Sequence, residues 1–315
     1  MGRKRKGDAV SGWIALDKPV GLGSTPAVGR VRRAFNAQKA GHAGTLDPLA
    51  GGVLPIALGE ATKTVSFLME AEKSYRFTIA WGETTASYDR EGATIASSDV
   101  RPHPGAVADL LKSFVGEVDQ IPPSYSAIKV DGARAYDLAR EGVELDLAPR
   151  RVVIHRASVT EAVDQDHVEI EIDCGKGTYV RALARDLAAG LGACGHVSVL
   201  TRTRVGPFQL DRAIALEKLE TMCHTHAGSE VLLPVETALD DIPALAVTNE
   251  DAFKLSQGRP IVLLPRQVET LKTRLASPDG DGFASRTVLA TLGGVLVAIC
   301  EMRAGQLGPT RVFNP

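Results

Sequence analysis

Residues 41–55 read Gly41-His42-Ala43-Gly44-Thr45-Leu46-Asp47-Pro48-Leu49-Ala50-Gly51-Gly52-Val53-Leu54-Pro55 and contain a single acidic side chain, that of Asp47. The four glycines allow positive φ or the close approach of another backbone. Pro48 fixes its own φ and moves Asp47 out of the α region, toward an extended or turn conformation. This composition predicts a tight, partly buried loop that holds one carboxylate in a set direction. Asp47 is then either a cap for local backbone amides or a reactive group, and the loop alone favours neither.

The composition of the chain is that of an ordinary globular protein. Its 315 residues are 44% hydrophobic and 23% charged, which suits one large domain with a smaller one, or two medium domains. No apolar run approaches the roughly 20 residues of a membrane-spanning helix, and the first residues lack the apolar core of a signal peptide. The cysteines lack CxxC spacing, which predicts reduced thiols in a cytoplasmic protein. They are Cys174, Cys194, Cys223 and Cys300.

The charge of the chain is unevenly distributed. The formal net charge is −2, but residues 211–251 hold nine acidic and two basic residues, so the rest of the chain is net positive. Basic residues cluster at 3–6, 30–39 and 150–156. Such clusters permit contact with nucleic-acid phosphates. They are equally compatible with an ordinary solvated surface.

Hydrophobic periodicity predicts more strands than helices. In the clearest strand, residues 75–81, every second residue from Tyr75 onward is apolar. Further strands are predicted at 12–16, 151–160, 168–174 and 197–205. Helices are predicted at 24–35 with Ser24 or Thr25 as its cap, at 57–70, at 104–114 and at 178–190 with Thr178 as its cap. Strands that often follow one another directly favour an α+β fold, with a mixed, largely antiparallel central sheet and flanking helices.

Composition also divides the chain into parts. Residues 1–11 are polar and basic, which predicts a disordered tail. Residues 12–244 form the main domain, in which the proline-bounded segment 121–150 is a candidate mobile flap. Residues 245–315 form a small β-rich domain, with a helix at 250–257 and strands near 260–264, 285–291 and 294–300.

Arg181 is a candidate partner for Asp47. It lies in the first turn of its predicted helix, where the helix dipole disfavours a cation. Such an arginine either points outward into solvent or pairs with a carboxylate elsewhere, for which Asp47 is the obvious candidate. In the second case the pair would hold the Asp47 carboxylate ionised and nucleophilic.

Other side chains also permit a structural and a functional interpretation. Tyr75 and Tyr179 are either core aromatics with a hydroxyl partner or walls of a pocket for a flat substrate. His42 is either a structural histidine or a wedge beside the acid. Met222-Cys223-His224-Thr225-His226 has no second Cys/His cluster nearby, so no metal site is predicted. Gly175-Lys176-Gly177-Thr178 lacks the spacing of a Walker phosphate loop.

Several motifs agree in type and order with one enzyme family. Gly44-Thr45-Leu46-Asp47-Pro48-Leu49-Ala50-Gly51-Gly52-Val53-Leu54 closely resembles the catalytic signature of the bacterial tRNA pseudouridine-55 synthases, the TruB family. Tyr75, at the start of its strand, is similar to that family's active-site tyrosine. Other motifs of the family are resembled by Leu16-Asp17-Lys18-Pro19-Val20-Gly21-Leu22-Gly23-Ser24, Cys174-Gly175-Lys176-Gly177-Thr178-Tyr179-Val180-Arg181-Ala182-Leu183, Val197-Ser198-Val199-Leu200-Thr201-Arg202 and Gly305-Gln306-Leu307-Gly308-Pro309-Thr310-Arg311-Val312-Phe313.

The resemblance covers nearly all of the chain and implies a pseudouridine synthase fold, followed by a PUA-like RNA-binding domain at 245–315. It implies an isomerase that converts a T-loop uridine of tRNA, at position 55, to pseudouridine without a cofactor or metal. The implied partner is the T arm of tRNA, which is read by shape and splayed bases, so a modest basic patch suffices. Neither a membrane nor an obligatory protein partner is expected, and the implied state is a cytoplasmic monomer.

By the same resemblance, Asp47 would be the nucleophile and Arg181 its partner. Tyr75 would stack on the uracil base and help to remove the C5 proton, although a phenol, with a reference pKa of about 10, needs assistance to act as a base. Leu200 would pack against the base, and Tyr179 would contact the flipped nucleotide.

The remaining roles concern how the RNA is held. His42 would fill the space that the flipped base leaves in the stack. The flap 121–150, with Lys129, would close over the T arm, and Lys18 and Lys63 would contact phosphates.

Two alternatives remain. Guide-RNA-dependent pseudouridine synthases of the archaeal and eukaryotic type share the catalytic motif, but the first motif here begins within about twenty residues of Met1. That leaves little room for the N-terminal extension of those proteins. A non-catalytic RNA-binding protein could keep the same fold, but the intact set of Asp47, Tyr75 and Arg181 argues against such decay.

Overall fold

The computed structural model describes residues 7–126, 128–130, 132–143, 145–225, 227–275 and 286–314. Its strands are β1 (Gly12–Lys18), β2 (Ala40–His42), β3 (Gly51–Leu58), β4 (Lys73–Trp81), β5 (Glu83–Thr85), β6 (Thr94–Ser97), β7 (Gly116–Gln120), β8 (Lys129–Val130), β9 (Ala133–Arg134), β10 (Arg150–Glu161), β11 (His167–Cys174), β12 (Gly195–Val205), β13 (Phe208–Gln209), β14 (Ile214–Ala215), β15 (Ala244–Ala246), β16 (Ile261–Val262), β17 (Thr287–Leu292), β18 (Val295–Arg303) and β19 (Gln306–Val312). Its α-helices are α1 (Ser24–Ala34), α2 (Val65–Glu70), α3 (Pro104–Leu111), α4 (Ala135–Arg140), α5 (Val180–Gly190), α6 (Leu216–His224), α7 (Asn249–Ser256) and α8 (Pro265–Leu275).

One large sheet organises the first part of the chain. Its main path has the strand order β14-β1-β3-β12-β4-β11-β10-β7, and β2 and β13 pair at its sides. Among these described strands, β1 with β14 and β3 with β12 run parallel, and the other pairs are antiparallel. Helices α1 and α5 pack apolar residues such as Val31 and Leu183 into the core beneath this sheet. The predicted α+β fold with a mixed, largely antiparallel sheet is therefore confirmed.

The segment after Asp47 differs from its prediction. Residues 51–58 form the strand β3, which pairs with β1 from Gly52 to Leu58 and is buried at every residue. A strand covered on both faces lacks the alternation of polar and apolar residues by which strands are recognised, and its glycines and proline suggested a loop. The helix predicted for 57–70 is wrong at its start, because a 3₁₀ turn at Gly59–Lys63 separates β3 from α2.

The last part of the chain forms a second sheet with the order β15-β17-β18-β19-β16. This sheet and helix α7 enclose an apolar cluster of their own, which includes Leu255, Val288 and Leu307. Helix α8 and strand β19 were not predicted. The C-terminal residues also contact the large sheet's side of the molecule, where Val312 O accepts a hydrogen bond from Lys63 Nζ at 2.7 Å.

The N-terminal segment is more ordered than expected where the structure describes it. The first six residues of the predicted tail, 1–6, lie outside the described residues. Asp8 is held against the end of α1, because its amide donates to Asn36 O at 2.7 Å and its carbonyl accepts from the amide of Gln38 at 3.1 Å. No helix in the described part of the chain is long and apolar enough to cross a membrane.

Candidate active site

The loop that carries Asp47 is fastened to the turn after β1. Ser24 or Thr25 was predicted to cap α1, but Gly23 occupies the cap position and Ser24 is the first residue of the helix. Instead the Ser24 hydroxyl donates to Leu46 O at 2.9 Å and accepts from the amide of Leu46 at 2.8 Å. On the other side of Asp47, the carbonyl of Pro48 accepts from the amide of Gly21 at 2.7 Å. The aspartate is thus held at both neighbouring positions, which limits the directions its carboxylate can take.

Lys18 is part of this fastening, and its predicted role as a phosphate contact is wrong. Its side chain has no exposed surface, and its ammonium donates to the carbonyls of Pro19 at 3.0 Å and of Leu22 and, more distantly, of Pro48. An ammonium enclosed by carbonyl oxygens cannot reach an RNA phosphate. Burial lowers the pKa of Lys18 to about 8, and the negative charge of Asp47 opposes part of that effect.

Asp47 and Arg181 meet, as the family resemblance implied. Arg181 Nη2 lies 2.8 Å from Asp47 Oδ2. The arginine occupies the second position of α5 and is 5% exposed. Its cation at a helix N-terminus is compensated by a carboxylate, which outweighs the unfavourable dipole.

Arg181 has a second anionic neighbour that sequence reasoning missed. Asp89, 3% exposed, places Oδ2 3.5 Å from Arg181 Nη1, and the Ser87 hydroxyl donates to Asp89 Oδ1 at 2.6 Å. Backbone carbonyls complete the set, because Arg181 also donates to Ser87 O at 3.1 Å and to Tyr125 O at 2.8 Å. In the sequence Asp89 is one of several acids in a polar loop, and no spacing distinguishes it.

Two cavities adjoin the Asp47–Arg181 pair. One, of about 270 Å³, is also lined by Tyr75, Tyr179 and Leu200. The other, of about 300 Å³, is lined by the loop around Asp89 and by Tyr125 of the flap segment. The structure therefore brings the expected Tyr75, Tyr179 and Leu200 to the same cavity as the ion pair.

The two tyrosines are fixed by the sheet and by α5. Tyr75 on β4 lies opposite Ile172 of β11 and Arg202 of β12. Burial raises the pKa of Tyr75, and the charge of Arg202 opposes part of that rise. Burial also raises the pKa of Tyr179. Both phenols are therefore neutral near pH 7.

Tyr179 itself occupies the cap position of α5 that was predicted for Thr178. The buried side chain of Gln120 accepts from the amide of Tyr179 at 2.8 Å and donates to its carbonyl at 3.1 Å. Thr178 instead donates to Gly175 O at 3.2 Å. A glutamine from the strand before the flap thus anchors the cap residue itself, a long-range contact that no local pattern could predict.

His42 and Lys63 lie outside the walls of this cavity. His42 ends β2, outside the walls of both cavities, and its buried Nδ1 has no hydrogen-bond partner among the described residues. Burial and then the charge of Arg202 lower the pKa of His42, so the ring is neutral near pH 7. Lys63 contacts Glu60 Oε2 at 2.6 Å as well as Val312. Lys129 lies in the β8–β9 hairpin of the flap, and its side chain is outside the described part of the structure.

Comparison with known proteins identifies the family of the chain. Residues 32–180 match the model of the TruB family pseudouridylate synthase N-terminal domain, and residues 181–240 match that of the tRNA pseudouridylate synthase B C-terminal domain. The tRNA pseudouridine synthase B of Caulobacter sp. (strain K31) is 68% identical over all of this chain and 99% of that protein. The chain belongs to the TruB family.

More distant TruB-family relatives match over the same length. The tRNA pseudouridine synthase B of Rhodospirillum rubrum is 47% identical over the whole of both chains. Among solved structures, a chain of a Cbf5–Nop10–Gar1 complex is similar with a TM-score of 0.70 and 25% identity, over 96% of this chain and 85% of that one. An H/ACA RNP bound to a substrate RNA contains a chain with the same TM-score at 22% identity, covering 100% of this chain and 92% of that one, which is a likeness of fold.

Proposed function

We propose that the protein is a tRNA pseudouridine synthase that isomerises the T-loop uridine at position 55, with Asp47 as the nucleophile and without a cofactor. The observation that carries this proposal is the Asp47–Arg181 pair, 2.8 Å apart, at a cavity walled by Tyr75, Tyr179 and Leu200. The names of relatives that match the chain end to end support the tRNA substrate.

The reaction rearranges bonds without adding atoms. The N1–C1′ bond breaks, the uracil turns, and C5 bonds to C1′, while C5 loses a proton and N1 gains one. Attack of Asp47 on the sugar, its attack on the base, and its assistance in forming a glycal all begin from an ionised carboxylate aimed at the nucleotide. The hydrogen bonds of the loop at Leu46 and Pro48 fix the direction of the carboxylate. Positioning of this kind is a large part of enzymatic rate enhancement.

Arg181 supports the nucleophile in two stages. Before reaction it orients Asp47 through a charge-assisted hydrogen bond. When Asp47 forms a bond to carbon or accepts a proton, its negative charge is lost, and a buried arginine without a counter-ion would be costly. Asp89, 3.5 Å from the same guanidinium, provides a second anion at that moment.

The remaining wall residues suit a flat base in a dry site. Tyr75 offers a neutral ring for stacking, Leu200 offers an apolar contact, and Tyr179 offers a hydroxyl near the entering nucleotide. Because burial raises the pKa of Tyr75, its phenol removes the C5 proton only if that proton has been acidified by rearrangement of the base. Exclusion of water strengthens the electrostatic interactions of Asp47 and Arg181.

A T-loop uridine has to leave its stack before it enters this cavity, at a cost of a few kcal/mol. His42 is suited to occupy the vacated position because its ring is neutral and part-exposed at the end of β2. The flap is suited to close over the T arm, and Arg150 and Arg151 at its far end are exposed for phosphate contact. The flap also begins at the site, since Tyr125 O accepts from Arg181.

The sheet at residues 244–312 is proposed as a PUA-like RNA-binding module that adds affinity for tRNA. We further propose a cytoplasmic monomer without an obligatory protein partner. The high identity to tRNA pseudouridine synthase B over whole chains favours this stand-alone enzyme over a guide-RNA-dependent one, because the chain from the Cbf5–Nop10–Gar1 complex matches at only 25% identity.

The decisive experiment incubates the pure protein with an unmodified tRNA transcript and no other RNA or protein, and then maps pseudouridine along the tRNA. Pseudouridine at position 55 is expected. Modification that appears only after a guide RNA and further proteins are added would favour the guide-dependent alternative. Binding of the transcript without any modification would favour the non-catalytic one.

A further inference from the structure

Arg202 is a buried cation beneath the catalytic loop. Its side chain is 1% exposed. Nε donates to Val53 O at 2.8 Å, Nη1 to Thr45 O at 3.3 Å and Nη2 to Gly44 O at 3.2 Å. These carbonyls lie on both sides of Asp47 in the chain, so one guanidinium spans the loop from its beginning to the strand that follows it.

The environment of Arg202 is unusual for a buried arginine. Its partners are these backbone carbonyls and the phenol of Tyr75, and the ion pairs of the described residues do not include it. A buried charge without a counter-ion is costly. Three carbonyls in a fork geometry compensate that cost only while the loop keeps its present shape. The arrangement therefore couples the burial of a charge to the conformation of the Asp47 loop.

The backbone is shaped to bring Arg202 to this place. A β-bulge in β12 makes Arg202 face Tyr75 and Arg204 face Ser74, so the two arginines point to opposite sides of the sheet. The partner strand has Gly52 opposite Arg202, with φ of +99°, and a Cβ there would lie 2.3 Å from Arg202 O. Only glycine permits strands β3 and β12 to approach this closely.

We propose that Arg202 is a positioning residue that holds the Asp47 carboxylate in its reactive direction and that acts on the chemical step rather than on tRNA affinity. The proposal rests on the proposed role of Asp47. Arg202 borders the cavity beside Tyr75, but its side chain is almost fully buried and its guanidinium is engaged by the loop carbonyls, so it is not expected to contact the nucleotide. Arg202 also lies opposite Tyr75 in the β4–β12 pair, so the same side chain adjoins both the Asp47 loop and the ring proposed to stack on the base.

The test is Arg202→Lys, which keeps the positive charge but replaces a fork with a single ammonium that cannot span Gly44, Thr45 and Val53. The single-turnover rate of pseudouridine formation should fall about 10²-fold, as expected for a small misplacement of a reacting group. The dissociation constant for tRNA should be unchanged. Arg204→Lys is the matched control, since this residue lies on the same strand but faces Glu72 on the other side, and it should leave both quantities unchanged.

A second measurement does not depend on activity. Amide hydrogen exchange of residues 43–50 in the free protein should be faster in Arg202→Lys than in the wild type, while exchange in β4 and β11 stays the same.

Chemical rescue is a third measurement. Added guanidinium, below the concentration that unfolds the protein, should restore part of the rate of pseudouridine formation to Arg202→Ala, and ammonium at equal ionic strength should not.

Several outcomes would overturn the proposal. A wild-type rate in Arg202→Lys would do so, as would a loss confined to tRNA affinity or unchanged exchange in the loop. Failure of Arg202→Lys, Arg202→Gln and Arg202→Met to fold would do so too, because Arg202 would then be a folding residue. If the wild type forms no pseudouridine, the proposed function fails instead, while hydrogen exchange still decides whether Arg202 fixes the loop.

Discussion

The Asp47–Arg181 pair exposes its anion and buries its cation. The Asp47 side chain is 35% exposed toward the cavities, whereas that of Arg181 is 6% exposed. A nucleotide that enters therefore meets the carboxylate first, and the arginine acts from behind it. Because the guanidinium lies behind the carboxylate, its other partners are protein groups that are present without substrate, namely Asp89 and two backbone carbonyls.

The first prediction concerns Asp47→Asn. The amide keeps the size of the side chain but cannot act as an anionic nucleophile, so pseudouridine formation should be abolished while tRNA binding persists. Both are measured on the unmodified transcript. Asp109→Asn, at a surface pair with Lys112, is the control and should be fully active. Turnover by Asp47→Asn would show that another group attacks the nucleotide.

The second prediction concerns Arg181→Lys. One ammonium cannot reach Asp47, Asp89 and the carbonyl of Tyr125 together, so most of the activity should be lost, by about 10²-fold or more in single turnover. The tRNA dissociation constant should change little. Arg185→Lys, one turn away on α5 and paired with Asp186, is the matched control. A near-normal rate in Arg181→Lys would contradict the role assigned to the ion pair.

The third prediction separates Lys18 from RNA binding. Lys18→Met leaves the part-buried carbonyls of Pro19 and Leu22 without their donor, which should lower the free energy of unfolding by about 2 kcal/mol. Affinity for tRNA should stay the same. Denaturant unfolding and a binding titration measure the two quantities, with the exposed Lys112→Met as control. Weaker tRNA binding at unchanged stability would restore the phosphate role.

The fourth prediction is a pH dependence of stability from His42. Its pKa in the folded protein lies below the ordinary value of 6.5, so between these two values the unfolded chain binds more protons. The stability that neutral His42 contributes is fully present above pH 6.5 and is lost as the pH falls through its folded-state pKa. Wild-type stability should therefore decline from pH 6.5 to 5 more steeply than that of His42→Gln.

The exposed His224→Gln serves as the control for this comparison and should keep the wild-type pH slope. Equal slopes in wild type and His42→Gln, measured by denaturant unfolding at each pH, would mean that the His42 ring is protonated without cost in the folded protein.

The sequence alone determined much of the sheet and singled out Asp47 and Arg181 as candidates, whereas their pairing was implied by the family resemblance. Alternation in residues 75–81 and 168–174 is a local signal, because one face of each strand is more buried than the other, and β4 and β11 lie there. Asp47 stood out because glycines and prolines isolate one acid, and Arg181 stood out because a cation at a helix N-terminus requires an explanation. Both signals are contained in a few neighbouring residues.

Only the tertiary structure decided which polar side chains are buried and which partners they contact. In the sequence Lys18 resembles a surface lysine, but in the structure the turn at 19–22 and the loop at Pro48 surround its ammonium with carbonyl oxygens. Asp89 and Arg202 gain their roles from segments distant in sequence, Arg181 and the carbonyls of Gly44, Thr45 and Val53. Residues 51–58 became a strand because β1 pairs along one edge, while β12 and β2 pair with the two ends of the other. Burial and long-range hydrogen bonds depend on such contacts, and no local pattern of side chains encodes them.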